Sequence, residues 1–217
     1  MFEETRIIIL LSMLALLAFY DVKQRTTNDL IFLIFGGMGA FLYLFDYDDV
    51  EFYDVLIMIS SVVLGIVLWQ FRIFGVGDLF AIVAMAVIYP VYLDFVPAAV
   101  ILLICGFLLS SITIPLLNVF QNIRDWIRGK KPFEEMTEPK YRKFVAMFVV
   151  HRKRANENLT FLAEKQFKGK RILYLGIKDP NTKFAEKEHD GMYVEHTSPL
   201  LAFVFAAGVL LFGATLF

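Results

Sequence analysis

The chain keeps two carboxylates where an otherwise apolar polypeptide has little use for them. Asp21 closes the uncharged run Ile7 to Tyr20, and Asp78 immediately precedes the uncharged run Leu79 to Leu93. Neighbouring carboxylates in a low-dielectric site do not both ionise readily, so they tend to hold one proton between them. One is then a general base and the other a general acid. The base takes a proton from water as the water attacks an amide carbon, the acid hydrogen-bonds the carbonyl oxygen, and the leaving amine is protonated. Such a pair hydrolyses a peptide bond with no metal, no cofactor and no covalent nucleophile. Gly75 and Gly77 lead into the second acid as Gly75-Val76-Gly77-Asp78. With no side chains at those positions, an extended substrate backbone can come close to the acid, and the chain can bend toward Asp21. Each acid also has a plainer role open to it: Asp78 as the cap of a helix start, and Asp21 as a partner for Lys23 or Arg25.

The two acids can cooperate only if the surrounding elements bring them together. Six stretches carry no formal charge: Ile7 to Tyr20, Leu30 to Phe45, Val55 to Phe71, Leu79 to Leu93, Phe95 to Ile123 and Thr197 to Phe217. A helix that crosses a hydrocarbon core of about 30 Å needs about 20 residues. Several of these runs are shorter, but with almost nothing polar between the first five, no helix keeps a water-facing side. They are read as six transmembrane helices. Lengthening the first run draws in Asp21, and lengthening the fourth draws in 75–78. Parity then sets their depth: the first helix arrives at one face with Asp21, two more leave and return, and the fourth departs from that face with Asp78. Carboxylates that face each other inside a membrane are by default a functional site.

The charged ends give the orientation. Lys23 and Arg25, Arg72, and Arg124, Arg128, Lys130 and Lys131 follow the first, third and fifth runs, whereas Glu3 and Glu4, the Asp46 to Asp54 acids and Asp94 lie at the opposite ends. Basic ends face the cytoplasm, so both termini are expected outside the cell. The segment 119–198 holds 17 of the 21 Lys+Arg and 11 of the 22 Asp+Glu, although the whole chain is nearly neutral at −1. It is read as a small basic α+β domain on the cytoplasmic side, inserted between a membrane domain over residues 1–118 and a last helix in 199–217. In it, Pro139 to Val150 predicts a helix with an apolar face, Arg171 to Ile177 a strand, Asp179-Pro180-Asn181 a turn, and Asp190-Gly191 a hairpin turn before a strand over Met192 to His196. Its basic run at Arg152 fits a solvated or lipid-facing surface, and nothing beyond charge points to nucleic acid.

Composition removes other chemistries. A chain 58% hydrophobic, with mean hydropathy +0.63, is too apolar for an ordinary soluble domain. The single cysteine, Cys105, closes no intrachain disulfide and cannot build a zinc site of four thiolates. It sits within the fifth run without a histidine nearby, which reads as packing. His151, His189 and His196 all belong to the insertion, so no membrane helix offers a histidine to bind zinc or activate a serine, and H-E-x-x-H is absent.

Over Tyr20-Asp21-Val22-Lys23-Gln24-Arg25-Thr26-Thr27-Asn28 and Gly75-Val76-Gly77-Asp78, the chain resembles the G-x-G-D membrane aspartyl proteases. Among them it is most similar to the type IV prepilin peptidases and looks like an archaeal preflagellin peptidase. The resemblance covers the membrane domain and leaves the insertion unexplained. It implies catalysis by Asp21 and Asp78, and as substrates preflagellin or prepilin-like precursors with a short basic leader ahead of a hydrophobic helix. The bacterial enzymes carry zinc-binding cysteines near the N-terminus and also methylate the product, and this chain has no such cysteines. Two further departures are Thr27, where the family usually has Pro, and Phe80, where it commonly has Lys. Glu134, Glu135 and Glu138 are expected to help hold the basic leader.

Three other readings use the same residues differently. Presenilin-like proteases also pair Tyr-Asp with G-x-G-D, but place the acids on adjacent helices and carry a Pro-Ala-Leu motif, of which Val96-Pro97-Ala98 and Ser198-Pro199-Leu200 are loose echoes. A cation or proton transporter could use both carboxylates for binding, yet no inverted repeat is visible. A filament-assembly scaffold would need neither acid. Within the protease reading, the negative end of the first helix disfavours an anion at Asp21 and the positive end of the fourth favours one at Asp78. Asp78 is thus expected as the base and Asp21 as the proton carrier.

Overall fold

The computed structural model describes residues 3–24, 28–45, 52–71, 76–93, 96–152, 160–167, 170–173, 192–196 and 199–213. The chain is mainly helical. It divides into two compact units, Met1–Leu109 with Pro199–Phe217, and Ser110–Ser198. The second unit therefore begins inside a helix.

The first unit contains α1 (Glu3–Gln24), α2 (Asp29–Leu42), α3 (Phe52–Gln70), α4 (Val76–Ile88), the opening stretch of α5 (Ala98–Ile127), and α7 (Leu200–Phe212). Local chemistry sets several of these ends. Asn28 caps α2, its Oδ1 accepting the Leu30 N–H at 3.0 Å. The fourth apolar run was expected to stay helical to Leu93. It stops at Ile88 because Pro90 restricts the residue before it and has no N–H to donate. Past it, β1 (Val91–Leu93) pairs antiparallel with β2 (Val96–Pro97), a hairpin hidden within apolar sequence. The Ala98 N–H donates to the Pro90 carbonyl at 3.1 Å and starts α5 beside the end of α4.

Three helices, over Glu3–Lys23, Phe52–Gln70 and Ala98–Ile127, are long and apolar enough to cross a membrane, while α2, α4 and α7 are shorter apolar helices. The core is a stripe of Leu10, Met13, Leu14 and Leu17 on α1 against Ile82, Met85 and Ile88 on α4 and Leu201, Val204 and Phe212 on α7. Large apolar side chains also cover the outside, with Leu56, Ile59, Val63 and Ile66 of α3 all exposed. Apolar residues on the outer as well as the inner surface belong to a bundle whose solvent is lipid.

Glycines set the closest approaches. A Cβ added at Gly39 would lie 2.8 Å from Ile88 Cγ1 and 2.9 Å from its Cα, and one at Gly106 would lie 2.7, 2.9 and 3.0 Å from Cγ2, N and Cα of Val204. Small residues let helix backbones touch where no water drives them together. Gly106→Ala is expected to destabilise the α5–α7 pair by about 1–3 kcal/mol through overpacking, read as a lower thermal midpoint in detergent. Val204→Ala should restore only some of the loss, because two of the three contacts are backbone.

The second unit holds the rest of α5, α6 (Lys140–Val149), and the strands β3 (Val150–Arg152), β4 (Thr160–Leu162), β5 (Glu164–Phe167), β6 (Lys170–Leu173) and β7 (Tyr193–His196). An antiparallel sheet has the order β3-β7-β4, and β5 pairs with β6 in a separate ladder. The expected helix matches α6. Of the expected strand Arg171 to Ile177, only the stretch to Leu173 is described. The expected turns at Asp179 and Asp190 lie outside the described residues, as do Gly75, Arg25, Thr27 and His189. Asn118 and Asn122, one turn apart on α5, donate to the carbonyls of Phe148 (3.0 Å), Met147 (3.0 Å) and Val150 (2.7 Å), satisfying acceptors that the end of α6 leaves open. His151 Nδ1 lies 3.1 Å from Asn118 Oδ1 in the same buried cluster.

Candidate active site

Asp21 lies in the last turn of α1 and Asp78 in the first turn of α4, and both are half-buried. Contacts at the opposite end of the bundle fix how these helices run. The Arg6 guanidinium, near the start of α1, donates to the Ile88 carbonyl at the end of α4 at 3.0 Å, and the Tyr89 hydroxyl donates to Glu3 at 2.9 Å. The two helices are therefore antiparallel, and their far ends, with Asp21 and Asp78, fall on the same side. Along the axes, Asp21 is about 22 Å from the Arg6 position and Asp78 about 15 Å from Ile88, at 1.5 Å per residue.

Helix α7 gives a second measure. The Leu201 N–H donates to Asp21 Oδ2 at 2.9 Å, and at the other end the rings of Phe212 and Tyr89 meet edge-on, 5.3 Å between centroids. Leu201 and Asp78 are each eleven residues from that aromatic contact, so they lie at similar height on parallel helices. The two measures together put the acids level to within about one and a half helical turns, roughly 8 Å.

Helix α2 runs parallel to α4, and the pairing slips by one residue along the contact. Phe32 faces Phe80 at 5.9 Å between ring centroids, Gly36 faces Ala84, and Gly39 faces Ile88. Asn28 and Asp29 accordingly start at the same end as Asp78. Phe80 packs against the Phe32 ring of α2. Asn28 has the local task of capping that helix.

The contact at Asp21 was not legible in the local sequence. Pro199, the residue at the N-cap of α7, makes no side-chain capping bond, and Asp21 supplies that acceptor from 180 residues away. This donor also changes the electrostatics expected at Asp21. The negative end of α1 and the positive end of α7 meet the same carboxylate. Lys23, one of the partners expected for Asp21, lies over the Phe19 ring at 5.4 Å. Cys105 packs on the core.

The three glutamates expected to hold a basic leader are already engaged. Glu134 pairs with Lys131 at 2.9 Å, Glu135 with Arg171, and Glu138 with Arg142 at 2.9 Å and with the Leu173 N–H at 3.2 Å. The Glu134 ion pair raises the Lys131 pKa, first through its hydrogen bond and then through charge. The Glu134 and Glu135 side chains are 61% and 59% exposed, whereas Glu138 is 7% exposed. Exposed pairs contribute about 0–1 kcal/mol and exchange readily for another cation, whereas a buried, multiply bonded carboxylate belongs to the fold. Reversing Glu134 and Glu135 to lysine should therefore weaken binding of a basic peptide several-fold at low salt with little loss of stability. Glu138→Lys should instead unfold the α6–β6 region, seen as increased amide exchange there.

An apolar helical bundle with two carboxylates at one end defines the class as far as the geometry carries it. No family model matches the chain, and no curated protein matches it.

Proposed function

We propose that the chain is a membrane aspartyl endopeptidase that removes the short basic leader from preflagellin or type IV prepilin-like precursors at the cytoplasmic face of the cell membrane. The reading rests on one observation: Asp21 and Asp78, far apart in sequence, lie at the same end of the bundle at nearly the same height. In it, all six apolar helices cross the membrane. Helices α2, α4 and α7 run in one sense and α1 in the other, which agrees with such an arrangement. A hydrolytic water between the two carboxylates gives its proton to the ionised acid. The protonated acid polarises the scissile carbonyl, and the amine leaves protonated, so the site returns to one shared proton. Gly77, in the first turn of α4, leaves the approach to Asp78 without a side chain.

The test uses the purified full chain in lipid vesicles with a membrane-anchored precursor carrying a basic leader. Mass spectrometry should show release of the leader and retention of the hydrophobic helix on the product. An intact precursor alongside folded protein would overturn the reading, and ion flux through the same vesicles would favour a transporter.

A further inference from the structure

Helix α6 faces the wrong way for a soluble domain. Its inward side is small, with Ala146 fully buried and Met147 and Val149 packed on the second unit's core. Its outward side carries Tyr141, Phe144, Val145 and Phe148, at 70%, 64%, 50% and 38% exposure. At 100° per residue these four fall within an arc of about 100°. Lys140 borders the arc on one side and Arg142 on the other. Three aromatic rings and a valine uncovered on one short helix form a patch that marks an interaction surface.

Helix α5, to which the end of α6 is bound, shows what covers that patch. On the stretch of α5 within the second unit, Asn118, Asn122 and Asp125 are buried, while Leu116, Phe120, Ile123 and Ile127 are exposed. Polar side chains inward and apolar ones outward is the arrangement of a helix still in lipid. The hydrogen bonds from Asn118 and Asn122 hold the last turn of α6 against this stretch of α5. The segment around it is basic, with 17 Lys+Arg to 11 Asp+Glu over 119–198.

We infer that α6 is an interfacial helix: Tyr141, Phe144, Val145 and Phe148 rest in the bilayer surface, and Lys140 at the edge of that face contacts anionic headgroups, so that the inserted unit is anchored to the membrane. Amphipathic helices with aromatic residues on one face and basic residues beside it bind this boundary, and anionic lipid strengthens the attachment. The inference requires a membrane-embedded chain but not the protease reading, and its test does not measure cleavage.

The experiment places single nitroxide labels at Phe144→Cys, Phe148→Cys and, as a comparison, Glu134→Cys, in the full chain carrying Cys105→Ala, reconstituted in lipid nanodiscs. Collision with oxygen, which concentrates in lipid, should exceed collision with a water-soluble nickel chelate several-fold at 144 and 148, and the order should reverse at 134. The ratio at 144 should be higher in discs containing phosphatidylglycerol than in phosphatidylcholine alone, and Lys140→Glu should abolish that difference. Labels at 144 and 148 as open to nickel as the one at 134 would overturn the inference. So would labels closed to both reagents, as beneath a second copy or another protein. Equal ratios in the two lipids would overturn the headgroup contact. If Cys105→Ala does not fold, Phe144→Trp in the otherwise unchanged chain serves instead: brominated lipid should quench the added fluorescence, and its failure to do so would count against the inference.

Discussion

Asp21→Asn and Asp78→Asn should each lower leader cleavage by at least about 10³-fold, the scale on which a positioned acid or base contributes, while the protein stays folded. Asparagine is the informative replacement at position 21. Its amide oxygen can still accept the Leu201 N–H that Asp21 accepts at 2.9 Å, so the start of α7 keeps its cap and only proton transfer is lost. Asp21→Ala removes both, and should add a stability loss of about 1 kcal/mol, typical of a deleted helix cap. The comparison separates the two roles open to this carboxylate. A purely structural Asp21 would leave the asparagine variant as active as the parent and the alanine variant merely less stable. Single-turnover cleavage with thermal midpoints measured on the same samples distinguishes these outcomes.

Arg171→Met should destabilise the second unit by about 3 kcal/mol. Arg171 donates to both carboxylate oxygens of Glu164, at 3.0 and 2.7 Å, and also pairs with Glu135. Glu164 is 6% exposed and also accepts the Tyr193 N–H of β7 at 3.3 Å. Removing the guanidinium leaves a buried carboxylate with one weak donor, and breaking one side of a buried pair costs about 3–5 kcal/mol. Arg171 is itself partly exposed, which favours the lower end. Replacing both partners, Arg171→Met with Glu164→Gln, should recover much of the loss, because no uncompensated charge remains. Urea titration followed by Trp126 fluorescence would measure both variants. Equal stability of Arg171→Met and the parent would show that water already solvates Glu164.

The apolar helices were legible because runs of apolar residues bounded by charge are a local signal. Their ends were less so: Pro90 sits inside an uncharged run and still halts α4, since its effect is on the backbone and not on hydropathy. The antiparallel sense of α1 and α4 followed from counting crossings, and Arg6 and Tyr89 report it directly. What the sequence withheld were partners distant along the chain. Leu201 at Asp21, Asn118 at the end of α6, and Tyr193 between β3 and β4 depend on tertiary placement that no window of neighbours contains. The face of α6 was legible as apolar, but its direction was not, because periodicity separates two sides of a helix without saying which one looks inward.

The parallel pairing of α2 and α4, in which Phe32, Gly36 and Gly39 meet Phe80, Ala84 and Ile88, makes this pair tolerant of spelling and intolerant of counting. Outward residues of α2 such as Leu33 and Ile34 can be exchanged among aliphatics freely. Inserting one residue between Phe32 and Met38 would swing every later position by about 100°, turning Gly39 away from Ile88 and Met38 toward it. Length, more than composition, is the heritable constraint on this stretch of the chain.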